Sequence, residues 1–211
     1  MNQALLASAF RPNLAPSTLA FPRLPSTVDD MRHWPTVASS EAFHTRLFKI
    51  RRDRLRAPIN GTEHDFFVIE ADDWVNVIAL TPQNDVVLVR QYRHGVVRIS
   101  TEIPGGVVER GELPLDAAKR ELAEETGYHS DDWAQIGVIE PNPAIQNNRS
   151  WTFVARNARL AAAPQPDAAE ELEVDTCPLV RLPELLRDGT ISHALVLCAF
   201  THFALHGGMT L

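Results

Sequence analysis

A chain of 211 residues, 45% hydrophobic and 22% charged, can form one folded domain with an appendage and is too apolar to stay unfolded. Its net charge of −7 argues against a broad, sequence-independent grip on nucleic acid, and no apolar run reaches the roughly 18 residues that span a bilayer. Cys177 and Cys198 are the only cysteines, so there is no disulfide framework, no zinc pattern is visible, and a reducing cytoplasm is the expected setting.

The first stretch, "MNQALLASAFRPNLAPSTLAFPRLPST", lacks the basic region that a secretory signal places before its apolar run. Pro12, Pro16, Pro22 and Pro25 lie too close together for a helix or a central strand. Residues 1–42 are therefore expected to be an arm, either disordered or docked on a partner subunit, and residues 43–211 the folded domain. Between Arg46 and Arg56 there are six Lys or Arg, which reads as a solvated edge strand. Asn60-Gly61 is a turn signal. "DFFVIE", "WVNVIAL" and "DVVLVRQYR" are rich in β-branched and aromatic residues and read as strands. "TPQND" joins the last two as a hairpin loop. In "VRISTEIP", Ile99, Thr101 and Ile103 share a face.

A helix is expected over Pro114 to Thr126. Proline is favoured at a first helical position, and Gly127 supplies a left-handed C-terminal cap. Leu115, Ala118 and Leu122 form its apolar stripe. "WAQIGVIE", "SWTFVAR" and "LEVDTCPLV" read as further strands, and "LPELLRDG" as a short helix closed by Gly189. Ser192 to Leu205 reads as a last helix, packed through Ala194, Leu197, Cys198, Thr201 and Leu205. His193 and His202 are assigned to that packing. Strands with covering helices make a layered α/β/α domain.

The helix over Pro114 to Thr126 ends with three acids, Glu121, Glu124 and Glu125, in little more than one turn. Like charges at this spacing repel by about 0.2–0.5 kcal/mol per pair. They lie beside the apolar stripe, a poor place for acids that only solvate. Carboxylates are hard ligands, and a divalent cation among them removes the repulsion. Glycines before the helix let the backbone approach a metal and a phosphate, and the Gly105 carbonyl would offer a further ligand. Such cations would neutralise and orient a diphosphate and activate water for attack at phosphorus.

Gly106, Glu112 and the run Arg120-Glu121-Leu122-Ala123-Glu124-Glu125-Thr126-Gly127 resemble the signature of the Nudix hydrolase family. Every charged and glycine position fits. The last position, usually aliphatic, is Tyr128, and an aromatic can fill the same slot. The surrounding strand order extends the resemblance over roughly residues 43 to 205. It implies a Nudix fold, an α/β/α sandwich with a mixed central sheet and the box as loop–helix–loop. It also implies hydrolysis of a nucleoside diphosphate derivative with Mg²⁺ or Mn²⁺. By the same resemblance Glu121, Glu124 and Glu125 would ligate metal, and Arg120 would pair with Glu112 or orient the ligands.

"RQYR" followed by "EIPGG" is similar to ADP-ribose and nucleoside-diphosphate-sugar hydrolases, as is Pro143, sixteen residues after Gly127. This makes Arg93 and Arg90 candidates to bind substrate, Arg93 through a forked diphosphate contact. Glu102 would bind ribose hydroxyls or a metal-bound water. By resemblance to related sugar-diphosphate hydrolases, a glutamate of the loop "PDAAEELEVD" would serve as general base or an extra metal ligand, with Glu170 and Glu171 the candidates ahead of Glu173. Gln146, Asn147, Asn148 and Arg149 could read a sugar or base, and Phe48 or Trp74 could stack on adenine. The expected partner is a nucleoside diphosphate sugar, and relatives of this type are commonly homodimers. The alternatives are GDP-mannose, NADH, a dinucleoside polyphosphate or coenzyme A as substrate, and a nucleotide sensor without turnover.

Overall fold

The computed structural model describes residues 33–165 and 171–210. Three antiparallel strands come first: β1 (Thr36–His44), β2 (Lys49–Arg56) and β3 (Glu63–Glu70), paired in the order β1-β2-β3. The basic strand is thus the middle of a sheet and not its edge. Its cations face acids: Lys49 meets Glu41, Arg51 meets Asp53 and Glu70, Arg52 and Arg54 meet Asp65, and Arg56 meets Glu63. Opposite charges across strands favour the pairing that a lone basic strand would discourage. The boundary expected between residues 42 and 43 falls inside β1, which begins at Thr36. The four leader prolines lie outside the described residues.

The layered part follows as β4 (Trp74–Ala79), β5 (Asp85–Arg93), β6 (Arg98–Glu102), β7 (Gly105–Val107), α1 (Pro114–Thr126), β8 (Tyr128–His129), β9 (Asp132–Ile139), β10 (Ser150–Arg156), β11 (Arg159–Leu160), β12 (Leu172–Pro178), α2 (Leu182–Arg187) and α3 (Ala194–Leu205). A mixed sheet runs β7-β4-β10-β9, with β4 and β10 parallel. An antiparallel sheet runs β12-β5-β6 and meets the first where Leu80 bridges Val86.

Side chains alternate across a strand. Val75, Val77 and Ala79, with Phe153 and Ala155 of β10, therefore face Ala117, Ala118 and Leu122 of α1. Ile78, Leu80 and Val154 face Leu182 of α2 and Val196, Ala199, Phe200 and Phe203 of α3. Both faces are covered, so these strands read as unbroken apolar runs. The α/β/α sandwich expected from the sequence is the fold observed.

α1 has the predicted bounds. Proline stands at its start, and Gly127 takes φ 72° and donates its N–H to the Ala123 carbonyl at 2.9 Å. Two packing faces differ from expectation. α3 buries Val196, Ala199, Phe200 and Phe203, while Leu197 and Leu205 of the expected face are exposed. Nearly every residue of "ALVLCAFTHFAL" is apolar, so periodicity names no face, and the contacts with the sheet decide it. In β6 the buried residues are Ser100 and Glu102, and Ile99 is exposed, because the polar face of that strand lines a cleft.

Candidate active site

A cleft of about 940 Å³ opens between α1, β5, β6 and the turn before α3. Its volume is that of a site for a nucleotide-sized ligand. α1 contributes Arg120, Glu121, Glu124 and Glu125, β5 and β6 contribute Arg93, Arg98 and Glu102, and the turn contributes Ser192 and His193. Trp74, Asn76, Arg46 and Leu47 complete it on other sides.

The acids of α1 are organised by one guanidinium. Arg120 donates to Glu112 through Nε (3.1 Å) and Nη2 (3.0 Å), and its Nη1 reaches Glu121 (2.9 Å) and Glu124 (3.1 Å). Nη2 also bonds the Val107 carbonyl at 3.0 Å, tying helix to loop. Both expected roles of Arg120, pairing with Glu112 and orienting acids, are therefore visible in its contacts. The bond to Glu112 is the largest influence raising the Arg120 guanidinium above its ordinary value, against the opposing pull of burial. That same bond is the main reason the Glu112 carboxyl is held low.

Glu125 is buried and accepts the Gly105 N–H at 2.9 Å. A Cβ on Gly106 would collide with the Glu121 carboxylate, and one on Gly105 with the Val75 carbonyl. Close backbone approach requires the glycine at 105, while at 106 a side chain would displace the Glu121 carboxylate. Side-chain exposure rises from Glu125 through Glu121 (14%) to Glu124 (48%), so Glu124 is the acid most open to a ligand.

Among the described residues no three His, Cys, Asp or Glu side chains converge as a ready cation site. Arg120 draws Glu121 and Glu124 to itself, and Gly105 draws Glu125. The donor chemistry nevertheless fits a hard cation. All three acids belong to one cleft, and a positive group already bridges two of them.

Arg93 and Glu102 engage each other. The Arg93 fork donates through Nε (2.9 Å) and Nη2 (2.7 Å) to the two oxygens of Glu102. Burial pushes this carboxyl up, but the bonds and charge of Arg93, with Ser100 and His193 assisting, leave it below the usual range.

Arg90 lies outside the cleft and pairs with Glu173 across β5 and β12. Three positions separate it from Arg93, and a period of two puts them on opposite faces. Glu171 is exposed and does not line the cleft, and Glu170 lies outside the described residues. The loop amides are staples. Asn147 accepts from Ala71 N–H (3.2 Å), and Asn148 donates to the Asp72 carbonyl (3.2 Å). Arg149 stacks 5.6 Å from the Trp151 ring centroid. Of the two aromatic candidates, Trp74 lines the cleft and Phe48 does not. His193, assigned to helix packing, is a cleft residue; it stands directly before α3, which begins at Ala194 and not at the expected Ser192.

Residues 72–200 match the family model described as NUDIX domain. The chain belongs to the Nudix hydrolase family. The match begins after β3, so the first sheet lies outside it. The Nudix chain is 32% identical over 121 residues to the methanol dehydrogenase activator of Bacillus methanolicus, an alignment covering 57% of this chain and 65% of that protein. It is 27% identical over 162 residues to the ADP-ribose pyrophosphatase of Mycobacterium tuberculosis, covering 75% of this chain and 78% of that one. It thus spans just under two thirds of the Bacillus methanolicus protein's length. A crystal structure of an ADP compounds hydrolase superposes with a TM-score of 0.74 at 20% identity, covering 84% of this chain and 98% of that chain, a likeness of fold.

Proposed function

We propose that this Nudix enzyme hydrolyses the diphosphate bond of ADP-ribose or a related nucleoside diphosphate sugar, with Mg²⁺ or Mn²⁺ as cofactor, giving a nucleoside monophosphate and a sugar phosphate. The observation that carries this reading is a gathering of acids and arginines in one cleft. Glu112, Glu121, Glu124 and Glu125 gather around α1 with Arg120 as the cation among them, while Arg93 and Arg98 line the same cleft. The similarity to the Mycobacterium tuberculosis ADP-ribose pyrophosphatase supports the substrate class.

A divalent cation held by Glu121, Glu124 and Glu125, with the Gly105 backbone beside them, would supply charge neutralisation and a more acidic water. The chain's own groups do the rest. Arg120 keeps Glu121 and Glu124 turned toward the cleft. Arg93 is placed to grip a phosphate by charge-assisted bonds, and buried Glu102 fixes where its guanidinium stands. Reach selects a base before pKa does, and among the described residues Glu124 is the exposed carboxylate on α1 that meets this condition.

We also propose a homodimer in a reducing cytoplasm. All nine residues of β1 are exposed, and Trp34, Val37, Phe43, Phe66 and Phe67 of the first sheet region present apolar surface, which supports a second copy there. Cys177 and Cys198 are free thiols, and no helix among the described residues is long and apolar enough to cross a membrane.

The test is a substrate panel with Mg²⁺ and identified products. AMP and ribose 5-phosphate released from ADP-ribose, well above other substrates, is the expected result. Preferential turnover of GDP-mannose, NADH, a dinucleoside polyphosphate or coenzyme A would move the substrate, and tight binding with no turnover at all would make the protein a sensor.

A further inference from the structure

Glu102 is only 2% exposed, and its charge is met from two sides. Arg93 supplies the fork described above. From the turn before α3, His193 brings Nδ1 to 3.7 Å from Glu102 Oε2. That nitrogen is buried and has no hydrogen-bond partner, yet the side chain as a whole is 38% exposed and lines the cleft. The gap is about half an ångström longer than a good hydrogen bond. A buried polar atom left unpaired is costly and calls for an explanation.

Helix capping does not explain it, since His193 makes no side-chain cap bond to α3. The turn is fastened to β6 a second time, by Arg98 Nη2 donating to Ser192 Oγ at 2.9 Å. Two adjacent residues of one turn thus address two residues of one strand, on the cleft side.

We infer that His193 is a positioning residue for anion binding: it closes on Glu102 when a substrate phosphate engages Arg93. The inference rests on the reading of this cleft as a diphosphate site. A phosphate that draws on the Arg93 guanidinium weakens its fork to Glu102. A carboxylate buried this deeply cannot be left without a counter-group. Donation from His193 Nδ1–H replaces what Arg93 yields, so Arg93 can turn to the substrate while Glu102 stays satisfied. The unpaired nitrogen and its distance are what such a poised donor looks like before substrate arrives.

The full chain is compared with H193A and H193Q. Affinity for ADP-ribose is measured by calorimetry in EDTA, and KM and kcat in Mg²⁺. H193A should weaken Kd and raise KM about tenfold, the loss of one hydrogen bond to a charged group, with kcat within about threefold. H193Q keeps an N–H donor and should recover most of the affinity. Unfolding midpoints are read alongside; if H193A does not fold, H193F, which cannot donate, stands in for it. An active wild type whose Kd and KM stay within twofold in H193A, or a loss in H193Q as large as in H193A, overturns the role of His193 alone. A wild type that neither binds nor cleaves any nucleoside diphosphate sugar overturns the diphosphate reading itself.

Discussion

Two regions of this molecule are dense in charge, and they are built on different terms. In the first sheet, the cations of β2 meet an equal number of carboxylates from β1, β2 and β3: five against five. Most of these pairs are substantially exposed. At the start and end of α1, three carboxylates share Arg120 while Glu125 accepts the Gly105 N–H, and Glu125 and Glu121 are less exposed than most of the sheet acids. The balanced region needs nothing further, because each charge has its partner and water screens the remainder. The unbalanced region holds an excess of negative charge near an apolar face, a cost that a cation would remove. Density of charge does not mark a site; acids held at low exposure along the wall of a cleft do.

The sharpest way to break this contrast is Glu124→Gln. The side chain is half-exposed, so the fold should survive, while turnover of ADP-ribose should fall at least about a hundredfold. Unchanged kcat would remove Glu124 from the chemistry. Arg120→Met comes next. Leaving Glu112, Glu121 and Glu124 without their cation should destabilise the chain by about 2 kcal/mol, less than for a fully buried network because Arg120 is a quarter exposed. Mg²⁺ should then raise the Tm of the variant more than that of the wild type. Equal shifts would mean that Arg120 and the ion do not share ligands.

A smaller effect concerns pH. The Glu102 carboxyl titrates below its ordinary value in the fold, so the unfolded chain binds the proton first as pH falls. Stability supplied by this group is present at neutral pH and is lost as pH drops below about 4.3, the usual glutamate value, toward the folded one. Urea midpoints at pH 7 and pH 3.5 should differ less in Glu102→Gln than in the wild type, and an undiminished difference would show that Glu102 does not carry this acid loss. The smallest effect belongs to the balanced sheet, where Arg54→Ala should move Tm by no more than about 3 °C. A larger drop would show that the cross-strand pairs are as costly to break as the cluster on α1.

Legibility in the sequence followed how local the deciding interaction is. The bounds of α1 were readable because Pro114 and Gly127 act on their own backbone. The pairing of Arg120 with Glu112 was readable through the motif that spaces them. The alternation rule sets Arg93 and Arg90 on opposite faces of their strand, but only the fold shows that Arg93 is the one in the cleft. The buried face of α3 was not readable, since an almost wholly apolar helix has no polar side to exclude. β2 was taken for an edge because its partner acids lie in neighbouring strands. His193 was missed because its meaning comes from Glu102, ninety-one positions earlier.

What the chain determined by itself was the pattern with short reach: the helix and its caps, the paired glycines and the row of acids along one helical face. These depend on contacts within a turn or two, where sequence distance and spatial distance agree. Only the tertiary fold decided which of two arginines enters the cleft, that Glu102 is buried between Arg93 and His193, and that five of the six basic residues would be absorbed into a neutral sheet while Arg46 lines the cleft. Those outcomes depend on which strands become neighbours and how much water they exclude, and both are properties of the packed whole.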